Sequence, residues 1–205
     1  MEKRAPRRPV EGGDDTRAAL TWGAQRLEAL DVASGPRPEL TGDQIRLLIG
    51  YMSGLTYEGL GRLAGTSAKQ VNFVLRRISA LLRMKGRLQT MFAVLAREYV
   101  QPEQVVPAGV SRDKVSLPAD TVALLTLLAS NVSQETAAAK VGISLPQSQY
   151  LLLYARVALS AKSSQQAVVI AAVLGIITVP GVPTYEAPGV AAAPPGDEAR
   201  EPTCG

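Results

Sequence analysis

The stretch Thr56-Tyr-Glu-Gly-Leu-Gly-Arg-Leu-Ala-Gly-Thr-Ser-Ala-Lys-Gln-Val71 decides how this chain folds. Thr56 and Ser67 each stand ahead of a run with apolar residues at helical spacing. There a hydroxyl accepts from the N–H groups that a first helical turn leaves unpaired. The first helix runs through Leu60 and Leu63, and Gly65 supplies the tight left-handed turn that ends it. Ser67 with Gln70 has the spacing of a capping box. It opens a second helix with Val71, Val74, Leu75, Ile78 and Leu82 on its inner side. A short helix, a glycine turn and a capped second helix make the helix-turn-helix pattern. No alternating strand pattern competes with it, so the expected fold class is all-α.

Upstream, Thr41 with Gln44 repeats the cap spacing before Ile45, Leu48, Ile49 and Met52, and Gly54 stops that helix. Downstream, Gly86 breaks the chain before a fourth helix, Leu88 to about Tyr99, with Met91, Phe92, Leu95 and Tyr99 apolar. Sliding the sequence by 77 residues without gaps brings a second copy into register. Leu40 falls on Leu117, Asp43 on Asp120, Leu47-Leu48 on Leu124-Leu125 and Ser53 on Ser130. Glu58 falls on Glu135, Gly65 on Gly142, Ser67 on Ser144, Leu75 on Leu152, Leu82 on Leu159, Lys85 on Lys162 and Gln89 on Gln166. The second copy keeps the devices of the first: Pro118 near the first turn of its first helix, Ser133 as a cap, Gly142 as the turn, and Ser144 with Gln147 opening its third helix. Pro146 falls in that first turn, where a missing N–H costs little.

The expected organisation is therefore two tandem four-helix helix-turn-helix domains, at 40–99 and 117–179, with a linker at 100–116. An N-terminal extension, 1–39, holds one amphipathic helix from about Thr16 to Val32, with Leu20, Ala24, Leu27 and Leu30 on its apolar side. That helix docks on its neighbour or pairs with a second copy. A Pro/Ala/Gly-rich, disordered tail occupies 180–205.

The net charge of +4, from 22 basic and 18 acidic residues in 205, hides an uneven distribution. Residues 40–99 hold nine basic and three acidic side chains, whereas residues 117–179 hold three and two. Positive charge concentrated in the first copy is the electrostatic signature of a polyanion partner. Histidine is absent, which removes imidazole acid–base chemistry, Ser-His-Asp and Cys-His nucleophiles and imidazole metal sites. The single cysteine, Cys204, can close no internal disulfide and build no zinc cluster, so neither enzyme chemistry, metal nor cofactor is expected. Glu11, Asp14 and Asp15 follow the basic N-terminus where a signal peptide needs its apolar run, which points to a cytoplasmic protein. The uncharged run Ala167–Val179 spans only about 20 Å as a helix against a hydrocarbon core of about 30 Å, so it reads as a buried core helix.

Leu40-Thr-x-x-Gln, Gly54-Leu-Thr-Tyr-Glu, Leu60-Gly-Arg-Leu-Ala-Gly-Thr-Ser-Ala-Lys-Gln-Val71 and Lys85-Gly-Arg-Leu-Gln-Thr90 together resemble the LuxR-type (GerE-like) four-helix DNA-binding domain. The second copy resembles it most clearly at Val141-Gly-Ile-Ser144 and Ala161-Lys-Ser-Ser-Gln-Gln-Ala-Val168. The resemblance covers residues 40 to about 177 and leaves the N-terminal segment and the tail outside. It implies a bacterial transcription regulator that binds double-stranded DNA, with the fourth helix mediating dimerisation. Two copies in one chain then form either an intramolecular pseudo-dimer or, through the second copies, a homodimer.

A helix reading the major groove needs donors and acceptors toward its N-terminal half for base edges, with Arg or Lys nearby for phosphates. With Val71, Val74, Leu75 and Ile78 inward, the outward set is Lys69, Gln70, Asn72, Phe73, Arg76 and Arg77. Lys69 is suited to guanine, Gln70 or Asn72 to adenine, and Phe73 to a thymine methyl. Arg76, Arg77, Lys85 and Arg87 are suited to phosphates, the groups that the resemblance also favours. In the second copy Lys69 becomes Pro146, Arg76 becomes Leu153, Arg77 becomes Tyr154, and Arg83 and Arg87 become Ser160 and Ser164. The counterion-release contribution is thereby largely lost. Gln147, Gln149 and Tyr150 retain a capacity for base contact, but Tyr150, Leu153 and Tyr154 form an outward apolar cluster of the kind that marks a partner site. The expected function is a sequence-specific regulator whose first copy reads DNA while the second serves dimerisation or partner binding. The alternative is an adaptor docking on RNA polymerase, a sigma factor or another regulator.

Overall fold

A computed structural model describes residues 12–185, apart from residues 29, 31 and 36. The start of the chain, the Pro/Ala/Gly-rich tail from residue 186 and Cys204 lie outside the described residues. Among the described residues every regular element is helical. α1 spans Gly12–Glu28, α2 Gly42–Met52, α3 Tyr57–Leu63, α4 Ala68–Leu81 and α5 Arg87–Ala96. After 3-10 turns at Pro102–Gln104 and Arg112–Lys114 come α6 Ala119–Ala129, α7 Gln134–Val141, α8 Leu145–Ala158 and α9 Ser164–Val173.

The offset of 77 residues reappears in the backbone. α2 and α6, α4 and α8, and α5 and α9 begin and end 77 residues apart; α3 and α7 begin so, with α7 one residue longer. Left-handed residues recur at the same places: Gly54 and Asn131, Gly65 and Gly142, Arg83 and Ser160, Glu98 and Gly175. Caps fix the shared starts of α3 with α7 and of α4 with α8, whereas α6 opens after Pro118 and α5 after Gly86 without a side-chain cap. The hydroxyls of Thr41, Thr56 and Ser67 in the first repeat, and of Ser133, Ser144 and Ser163 in the second, each accept from the backbone N–H three residues on. Thr41 and Ser144 form full reciprocal capping boxes, whereas Ser67 makes only the forward bond to Gln70.

Several expected boundaries shift. α1 starts earlier and ends at Glu28 rather than Val32, and it docks not on the helix that follows it but on α6 and α7 of the second repeat. Its buried face is Thr16, Ala19, Gly23 and Leu27, while Ala24, expected inside, is exposed. The reason is close packing: a Cβ on Gly23 would lie 2.9 Å from the Thr126 methyl, so the small residues let the helices approach as a bulkier stripe would not. The Thr16 hydroxyl donates to Asp120 at 2.7 Å, and the Trp22 ring carries Lys140 at 3.9 Å from its centre and Arg26 at 4.9 Å. α5 ends at Ala96, short of Tyr99, because the chain turns through left-handed Glu98. The apolar run expected to stay helical to Val179 likewise stops at Val173, before left-handed Gly175.

The segment at 100–116 packs rather than spans. Val100, Pro102, Val105 and Ser111 are buried, and Arg112 donates to the carbonyl of Gly175. Arg97, at the end of α5, donates to the carbonyls of Val32 at 3.2 Å and Ser34 at 2.7 Å, tying the approach to α2 onto the first repeat. The buried apolar residues of both repeats form one continuous core. Its centre holds α9, whose residues from Gln166 to Val173 are all buried, which accounts for a helix apolar on every side. Among the described residues no helix is long and apolar enough to cross a membrane.

Candidate nucleic-acid interface

α3 and α4 meet around Gly65, at φ +64, with the Thr56 hydroxyl accepting from Gly59 N at 3.1 Å and that of Ser67 from Gln70 N at 3.2 Å. A Cβ on Gly61 would lie 2.6 Å from the Thr66 carbonyl oxygen, so α3 must carry glycine where the turn folds back against it. α4 then buries Val71, Leu75 and Ile78 and holds Val74 half-buried at the edge. Those four side chains fix the rotation of the helix, because period 3.6 leaves the opposite face to solvent.

That opposite face presents Lys69, Gln70, Phe73, Arg76 and Arg77, all exposed, with Phe73 at 59%. Asn72, expected with them, is half-buried beside Leu48, Tyr51 and Tyr57. It lies at the edge of that face, toward buried Val71 and Leu75, and of the eight expected contact residues it is the least accessible. Lys85 and Arg87 are exposed at the entry to α5. Arg62 on α3 and Arg83, held at φ +58 just beyond α4, add exposed cations that the helix-by-helix reading did not single out as contacts. Their signal was available in the charge count of the segment, though not in the spacing along α4.

None of these cations is neutralised. Among the described residues, Lys69, Arg76, Arg77, Arg83, Lys85 and Arg87 form no ion pair, while Arg46 pairs with Asp43. Arg87 is placed by an aromatic support instead: its guanidinium carbon sits 5.3 Å from the centre of the Tyr57 ring. Tyr57 stacks on Tyr51 at 5.8 Å, and the Tyr51 hydroxyl donates to Gln165 Oε1 at 3.1 Å. Burial pushes the Tyr51 hydroxyl well above its ordinary pKa, so it stays a neutral donor there. Arg87 is thus held over a rigid two-ring platform whose far end is fastened to the second repeat.

The same helix in the second repeat has a different surface. Ser148 replaces the buried Val71, and its hydroxyl donates to the Leu145 carbonyl at 2.8 Å while accepting from Gln134 Nε2 at 3.0 Å. Outward stand Gln147 and Gln149, then Tyr150 at 68% exposure, Leu153 at 53% and Tyr154 at 42%. Val157, 73% exposed and missed in the sequence, extends them into a stripe at i, i+3, i+4 and i+7; its spacing from Tyr150 was the available signal. No charged residue lies between Lys140 and Arg156. Moreover α1 brings an acid to the turn that opens α8: a Cβ on Gly142 would lie 3.1 Å from Asp15 Oδ2. Where the first repeat offers cations, the second offers an apolar stripe beside a carboxylate. Comparison with protein-family models, with curated proteins and with solved structures finds no match.

Proposed function

We propose that this protein is a sequence-specific DNA-binding regulator of transcription, acting in the cytoplasm without catalysis or cofactor, in which α3 and α4 serve as a helix-turn-helix. The observation that carries the reading is the solvent face of α4. It combines base-reading groups near a capped N-terminus, Lys69 and Gln70, with unpaired Arg76 and Arg77 one to two turns on. Lys85 and Arg87 flank that face. A major groove about 12 Å wide admits such a helix, and cations on its flanks reach phosphates on either side. Lys69 is assigned to guanine, Gln70 to adenine, Phe73 to a thymine methyl, and Asn72 to a secondary contact that its half-buried position restricts.

The second repeat acts through protein contact, with Tyr150, Leu153, Tyr154 and Val157 as its docking face for a component of the transcription machinery. A titration of fluorescent genomic duplexes at rising salt tests the proposal. Tight binding that weakens linearly in log–log form supports it, and no binding at low salt overturns it. In that second case the apolar stripe on α8 favours the adaptor reading, in which the chain joins proteins and reads no DNA.

A further inference from the structure

The two repeats meet in a reciprocal way. Gly54, in the α2–α3 turn of the first repeat, lies against Lys162 and Gln166 at the start of α9 in the second; a Cβ there would sit 2.9 Å from Lys162 Cβ and closer still to Gln166 Oε1. The counterpart of Gly54 at the offset of 77 is Asn131, in the α6–α7 turn, and it lies against Gly86 at the start of α5, where a Cβ would sit 2.6 Å from Asn131 Oδ1. Turn of one against helix start of the other, and the converse, is the pattern of a two-fold interface in which the same patch is used on both sides. α5 and α9 pack against each other between these two contacts. Such an interface closes on itself, so neither helix keeps a free face for the same contact with another chain.

We infer that a single chain, already a fused and unequal pair, recognises one non-palindromic DNA site with one protein molecule per site. The inference rests on the DNA-binding reading above. Symmetric regulators read palindromes because both halves present the same recognition helix. Here the two-fold relates helices of unlike chemistry. Lys69, Arg76 and Arg77 on α4 correspond to Pro146, Leu153 and Tyr154 on α8. α1 adds a second asymmetry, since it covers α6 and α7 and places Asp15 at the turn before α8, where a phosphate would be repelled. Only one half of the pair is equipped for the duplex.

The test uses the full chain and a pool of randomised duplexes about three helical turns long. Enriched duplexes are examined by sedimentation velocity and by hydroxyl-radical footprinting. The expected results are an enriched motif without dyad symmetry, a complex of one chain with one duplex, and a single patch of protection. Joining two motifs as a palindrome should load two chains with less than about two-fold change in affinity per site. A palindromic motif, or two chains bound cooperatively to one, overturns the inference and leaves the DNA-binding reading in place. Failure to enrich any duplex at low salt overturns both.

Discussion

Arg76 and Arg77 are exposed, unpaired and adjacent, so replacing both with alanine removes charge without touching the core. Hydrogen bonds to charged groups contribute about 1.5 kcal/mol or more each, so the double variant should bind DNA about a hundredfold more weakly. Its salt slope should fall by about two, read by the same titration at several salt concentrations. Gly54→Ala makes the opposite kind of prediction. The position is left-handed at φ +80 and its Cβ would press on Lys162, so the variant should lose roughly 1–3 kcal/mol of stability in denaturant unfolding. Residues of the first kind were legible in the sequence, because charge and helical period suffice to put them outside. Those of the second kind were only half legible. Gly54 reads as a helix stop from sequence, but its contact with a residue more than a hundred positions away depends on how the repeats meet.

Among the elements, α4 and α8 have the same length and each opens at a serine that accepts from the N–H three residues on, and they differ most in what the outer face bears. Tyr150→Ser with Val157→Ser should leave stability within about 0.5 kcal/mol, since both side chains are largely exposed, while abolishing capture of the partner in a pull-down from cell extract. Loss of fold in that variant, seen by circular dichroism, would show the stripe to be core. The starts of α2, α3, α4, α7 and α8 were well read where a cap is local, since a hydroxyl three residues before a free N–H needs nothing distant, whereas α1 begins earlier than expected. Faces and ends fared worse wherever packing on a remote element decided them. α1 buries Ala19 and Gly23 rather than Ala24 because Thr126 and Leu127 of α6 lie across it. The segment at 100–116, read as a linker from its Pro and Gly, folds its valines into the core for the same reason.

At the level of the whole molecule, one continuous core joins both repeats to α1, so the described part of the chain should unfold in a single cooperative transition. Differential scanning calorimetry would show one peak with matching calorimetric and van't Hoff enthalpies; two separable peaks would mean that the repeats fold independently. The repeat itself was visible in the sequence, and the resemblance offered pairing of the fourth helices within one chain as one of two options; identity at an offset could not choose between them, and the contact of α5 with α9 favours the internal one. That closure also bears on how the protein responds to its own abundance. A regulator assembled from two separate chains falls apart when diluted, and its occupancy of DNA then rises with a power of concentration greater than one. Here α5 and α9 are held together by the intervening chain, so their pairing is a matter of effective concentration within one molecule. On the proposed DNA-binding reading, occupancy should follow a simple hyperbola down to the few copies present in a small cell, and the response should be graded rather than switch-like.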